Sequence, residues 1–101
     1  MTNDSYPRRV LPQRSIDSLH GYVAAGGGTS LERVRQMTPD AVVDELARAG
    51  LRGRGGAGFP TGIKWRSILQ GGEGTRYVVC NGAEGEPGTF KDRALIRANP
   101  Y

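Results

Sequence analysis

A single cysteine, Cys80, is the first scarcity in this chain of 101 residues. One thiol forms no internal disulfide and by itself holds neither a zinc ion nor an iron–sulfur cluster, so no complete metal site is expected. Long apolar runs are missing too. None exceeds the four residues of Tyr77–Cys80, far short of the roughly 20 that cross a bilayer. The opening 25 residues lack the apolar stretch of a secretory signal. These absences point to a soluble, cytoplasmic protein without direct membrane insertion. Large apolar side chains are sparse, with Leu, Ile, Val and Phe together numbering 20. That composition supports at most one small domain of marginal stability.

Lysine is rare as well, at 2 against 12 arginines. A net charge of +4 and an isoelectric point near 9.7 would suit a nucleic-acid partner. The arginines are scattered, however, and Asp17, Glu32, Asp40, Asp44 and Glu45 interleave with them. A solvated surface is the better reading, and no nucleic acid is expected as a partner. A nucleic-acid module built on Arg52, Arg54 and Arg66 is the weaker rival, opposed by the acidic Glu84-Gly85-Glu86 loop.

Glycine is what the chain has in excess. Twelve of its 16 glycines fall between Gly50 and Gly88, and glycine at that density is costly to order unless backbone must turn or approach a ligand. A flexible linker is disfavoured because Phe59, Pro60, Trp65 and the strand-like Tyr77–Cys80 interrupt the run.

Residues 1–14, with two prolines and no periodicity, are expected to form an extended arm, and 15–101 the domain. Ser15 predicts a helix N-cap ahead of Ile16, Leu19, His20 and Val23. Ser30 predicts a second cap, ahead of Leu31, Val34 and Met37. Thr38-Pro39-Asp40 is a strong helix start, with Val42, Val43, Leu46 and Ala47 on one side, an Asp44–Arg48 pair on the other, and Gly50 as the stop. Pro60-Thr61 opens another helix ended by Gly71-Gly72. A strand is expected at 76–80, burying Cys80, and a last helix after Thr89 stopped at Asn99-Pro100. Trp65 is expected in the core with Ile68 and Leu69. His20 reads as structural or surface, and Asp92 and Arg93 as helix-terminal ion-pair residues.

Gly53–Gly58 matches the G-x-G-x-x-G string, yet it follows a helix where a Rossmann turn follows a strand. A Walker loop fails for want of Gly-Lys-Ser/Thr. The surviving physics is a run of small residues that lets backbone N–H groups face an anion or a flat ring, with Arg54 and Lys64 nearby to balance phosphate charge. In the second loop Asn81 offers donor and acceptor groups to a heterocycle, and Glu84 and Glu86 can accept from amides or ribose hydroxyls.

Two long motifs, Gly50-Leu51-Arg52-Gly53-Arg54-Gly55-Gly56-Ala57-Gly58-Phe59-Pro60-Thr61-Gly62-Ile63-Lys64-Trp65 and Tyr77–Asn81 followed by Glu84–Arg93, closely resemble the NADH-binding flavoprotein subunit of respiratory complex I. The related diaphorase subunits of NAD-reducing hydrogenase and NAD-dependent formate dehydrogenase carry the same module. The resemblance implies an α/β fold, here the N-terminal part of the FMN-binding domain, mostly helices plus a first sheet strand in an incomplete sheet. It implies FMN held without a covalent bond, and NADH stacked over it to give up a hydride whose electrons pass on to iron–sulfur centres. By position, Gly53, Arg54, Gly55 and Gly58 would lie against the flavin and Lys64 on its ribityl-phosphate side. Asn81 and Glu84 would contact the flavin and its ribityl chain, Phe59 the NADH adenine, and Glu86 the nicotinamide region. No side chain is expected to act as acid or base.

The chain departs from the family pattern at Ala83, where an Asp is usual, and at Arg66-Ser67, where Ser and an aromatic are usual. The family also continues through further sheet, a ubiquitin-like region and a cysteine-rich segment for a 4Fe–4S cluster. The expectation is a truncated or split N-terminal piece, working with other subunits of a complex I-like, hydrogenase or formate dehydrogenase assembly and reaching the membrane only through them. An inactive piece serving assembly alone is the alternative.

Overall fold

The computed structural model describes residues 10–101, so the expected arm at 1–14 is described only from Val10 to Arg14, which are irregular. Five helices follow: α1 Leu19–Ala24, α2 Thr29–Val34, α3 Pro39–Ala49, α4 Thr61–Gln70 and α5 Lys91–Ala98. They belong to two compact units, one from Thr29 to Tyr77 and the other made of the described residues up to Gly28 with Val78–Tyr101.

In the Thr29–Tyr77 unit α3 forms for local reasons. Thr38 Oγ1 accepts from the Ala41 N–H at 3.2 Å, Pro39 sits in the first turn, and Gly50 ends the helix in the left-handed region at φ 67°. Val43, 2% exposed, is the buried hydrophobic residue of the described chain. Helix α4 packs on α3, and Gly62 is the point of closest approach. A Cβ there would stand 3.0 Å from the Ala47 Cα and Cβ. One turn on, the Arg66 guanidinium bridges Asp40, at 2.9 Å, and Asp44. The expected Asp44–Arg48 pair therefore does not form. Arg48 turns to Glu45 at 2.8 Å, because a planar guanidinium from α4 satisfies two carboxylates one turn apart on α3. Arg76 reaches back to the Ile68 and Gly72 carbonyls, at 3.4 and 3.1 Å, at the C-terminal end of α4.

The apolar face of α4 is not the face that packs. Ile63, Trp65 and Ile68 are 60%, 48% and 52% exposed, so the expectation of Trp65 in the core is corrected. Contact with α3 instead runs along Gly62 and Arg66, where the missing side chain allows the helices to approach.

In the other unit the α1 cap is Ser18, whose Oγ accepts from the Gly21 N–H at 3.0 Å. The expected cap at Ser15 lies one turn too early. Ser30 likewise falls inside α2, which begins at Thr29. The Ile16 N–H donates to the Ala98 carbonyl at 2.7 Å, and the Tyr22 and Tyr101 rings stack at 5.7 Å. No strand forms among the described residues. Tyr77, Val78 and Val79 are 85%, 99% and 83% exposed, and Cys80 is exposed rather than buried. The reason is that a strand needs a neighbour for its N–H and C=O groups, and an apolar run cannot supply one. The helical part of the expected fold is present, and the described chain is helix-rich. None of its helices is long and apolar enough to cross a membrane.

Candidate functional site

The glycine run between α3 and α4 is closed at its base like a hairpin. The Thr61 N–H donates to the Leu51 carbonyl at 2.9 Å and the Gly53 N–H to the Phe59 carbonyl at 2.8 Å. Arg52 and Pro60 form an antiparallel bridge, and Arg52 Nη1 donates to the Gly58 carbonyl at 3.1 Å. Residues 53–59 are thereby held as one loop. Arg52, which the sequence singled out only for the nucleic-acid rival, has a role here that sequence reasoning missed. Only closure of the loop reveals its role, and no periodicity crosses a glycine run to signal it.

Gly56 and Gly58 turn the loop at φ 100° and 62°, which side chains rarely adopt. Gly55 is different. Its φ is ordinary and none of the described residues lies within 4 Å of where its Cβ would be. A Cβ on Gly53 would meet only the Phe59 backbone, at the ordinary distances of 3.7 and 3.9 Å. Neither the backbone conformation nor packing requires glycine at these two positions.

The cations of the loop have no carboxylate partner among the described residues. Arg54 is exposed and unpaired, and the Lys64 ammonium stands 5.5 Å from the centre of the half-exposed Phe59 ring. No side chain caps the N-terminus of α4, where, among the described residues, only the Leu51 carbonyl takes an N–H, that of Thr61. Gly53, Arg54, Gly55, Gly58, Phe59 and Lys64 therefore share one loop and the first turn of one helix.

Asn81, Glu84 and Glu86 lie in the other unit, on the loop before α5. Asn81 Oδ1 accepts from the Ala83 N–H at 3.1 Å, an Asx turn that leaves its NH₂ without a described partner. Glu86-Pro87-Gly88-Thr89 is a β-turn closed by the Thr89 N–H on the Glu86 carbonyl at 3.2 Å, with Gly88 at φ 79°. The Glu86 carboxylate is exposed and makes no hydrogen bond with the described residues. The Glu84 carboxylate accepts from the backbone N–H groups of Asp92, at 2.9 Å, and Arg93, at 3.2 Å. Chiefly through the Asp92 amide, its pKa falls below the usual 4.5.

A closed glycine loop with two cations free of carboxylates, opening a helix with no side-chain cap, can cradle a phosphate-bearing group with a flat ring. That class agrees with the family comparison. The chain belongs to the family of the Nuo51 FMN-binding domain, whose model matches residues 46–101 and so spans both loops, α4 and α5. It is 46% identical to a NADH-quinone oxidoreductase subunit of Aquifex aeolicus (strain VF5), over 85% of this chain and 20% of that one. It is 49% identical to the HndC subunit of the NADP-reducing hydrogenase of Solidesulfovibrio fructosivorans, over 84% of this chain and 17% of that one. With the alpha subunit of the NAD-reducing hydrogenase HoxS of Cupriavidus necator it shares 47% identity over 69% of this chain and 12% of that one. The chain thus spans a fifth or less of the length of these relatives.

Proposed function

We propose that this chain supplies FMN-binding segments of a flavoprotein that oxidises NADH. The observation that carries the reading is Gly55, a glycine that neither φ nor any neighbour among the described residues requires, as expected where a ligand lies against the backbone. In this reading Gly53, Arg54, Gly55 and Gly58 face the flavin, Lys64 its ribityl phosphate, and Phe59 the adenine of NADH. Asn81 serves the flavin and ribityl chain and Glu86 the nicotinamide region, while Glu84 belongs to the loop that carries them. When bound, FMN links a two-electron hydride donor to one-electron iron–sulfur acceptors. The protein's part is to hold the two cofactors in line and to neutralise phosphate charge.

The relatives are named as subunits of a NADH-quinone oxidoreductase and of hydrogenases, which supports work inside a multi-subunit assembly of the complex I or hydrogenase type. A 4Fe–4S cluster would then lie outside these 101 residues. The α/β reading is kept on the same footing: Tyr77–Cys80 is apolar and exposed, and would become a strand beside a neighbouring one. That same exposed segment favours a second reading, an assembly piece that binds no cofactor.

Replacing Lys64 by alanine distinguishes the two. Loss of a charge-assisted contact to phosphate is expected to raise the Kd for FMN on the order of tenfold, read by quenching of flavin fluorescence. An unchanged Kd would remove Lys64 from the phosphate site, and no binding by either form would favour the assembly piece.

A further inference from the structure

We infer that Glu84 is a positioning residue, which clasps the first turn of α5 to hold the 81–88 loop in place and does not itself touch the cofactor. The cofactor part of this inference rests on the function proposed above; the clasp does not. Three donors converge on the carboxylate. Oε2 accepts from the Asp92 N–H at 2.9 Å, and Oε1 accepts from the Arg93 N–H at 3.2 Å and Arg93 Nε at 3.3 Å. Oε1 has both lone pairs engaged. Oε2 keeps one, but the side chain is only 5% exposed, whereas Asn81, Gly82, Ala83, Gly85 and Glu86 around it are all exposed.

Helix α5 needs this outside carboxylate. Its own N-cap residue, Phe90, offers no side-chain acceptor, and the first N–H groups of a helix otherwise lack partners. An anion at that end is also favoured by the helix dipole. Arg93 extends the clasp through Nη2 to the Thr89 carbonyl at 3.0 Å, which ties in the Glu86–Thr89 turn. The loop is thus anchored through Glu84, while the free NH₂ of Asn81 and the carboxylate of Glu86 are presented outward.

The sign of the pH dependence follows. The Asp92 amide and Arg93 hold the pKa of Glu84 low, opposed by burial of the carboxylate and by the Asp92 carboxylate, itself paired with Lys91 at 2.9 Å. A carboxylate with a depressed pKa contributes stability above its ordinary value of 4.5, and loses it as pH falls through the depressed one. In ¹H–¹⁵N spectra of the full 101-residue chain, the Asp92 and Arg93 amides are expected to titrate together with a midpoint below 4.5. In Glu84→Gln that shared transition should vanish.

At pH 7, Glu84→Ala is expected to weaken FMN binding about tenfold with an unchanged absorbance spectrum of the bound flavin. Glu84→Gln keeps one acceptor for α5 and should recover most of the affinity. Amides that ignore Glu84 would overturn the clasp. A changed bound-flavin spectrum in Glu84→Gln, with α5 amides undisturbed, would instead make Glu84 a direct contact. If the wild-type chain bound no FMN, the proposed function would fail, and the amide titration would still decide the clasp.

Discussion

Gly62→Val is expected to destabilise the α2–α4 unit by about 1–3 kcal/mol, the usual cost of forcing extra atoms into a close contact. The obstacle is backbone. A Cβ at position 62 meets the Ala47 Cα and Cβ at 3.0 Å and the Ala47 N at 3.1 Å, so α3 itself would have to move. The two outer methyl groups of valine leave no way round. Gly62→Ala should cost much less, because alanine gains about 1 kcal/mol of helix propensity over glycine and offsets most of the crowding. Urea unfolding followed by Trp65 fluorescence and far-ultraviolet circular dichroism reads both variants. The order Val below Ala is the expected outcome, and equal stability would mean that α3 and α4 are not held by close approach at this glycine.

Gly55→Ala is expected to do the reverse: leave the fold intact and lower the affinity for FMN tenfold or more. Its φ is ordinary and the space around the new methyl is empty of atoms of the described residues, so unfolding should be unchanged within about 0.5 kcal/mol. A ligand against the backbone at that point would be pushed away, and each 1.4 kcal/mol lost is about a factor of ten. Gly56→Ala is the contrasting case. At φ 100° an alanine strains the loop whether or not FMN is present, costing on the order of 1–3 kcal/mol. Wild-type affinity in Gly55→Ala would mean that no ligand lies close to this residue.

What was legible in the sequence was what a short stretch of chain decides by itself. Thr38-Pro39-Asp40 and Gly50 bound α3 where they should, Pro60 and Gly71 bound α4, and Pro87-Gly88 marks a real turn. Caps were less secure where two candidates lay a turn apart. Ser15 and Ser18 are both good caps, and the helix begins at the later one. Apolar spacing identified α4 as a helix, yet the face that packs is the one with Gly62, because the absence of a side chain decides how closely a second helix can come. The strand failed for a related reason, since pairing depends on a partner that Tyr77–Cys80 does not contain.

Within the candidate site the two loops were found from glycine density and turn residues. Their fastenings were not, because Arg52 reaches Gly58 across the loop and Glu84 reaches α5 eight residues on. Such contacts become visible only when the chain has folded back on itself. Asp92 and Arg93, read as helix-terminal ion-pair residues, do pair, with Lys91 and Glu84 respectively. Their backbone amides, which carry no mark in a sequence, matter as much as their charges.

If the glycine loop holds both the phosphate and the ring of FMN, the chain must distinguish FMN from riboflavin, which has the same ring and no phosphate. Titrating the 101-residue chain into each flavin in parallel, while following flavin fluorescence, tests this directly. Saturable quenching is expected with FMN, and affinity at least tenfold weaker with riboflavin. Equal affinity for the two flavins, or no quenching with either at high protein concentration, would contradict a phosphate-holding loop.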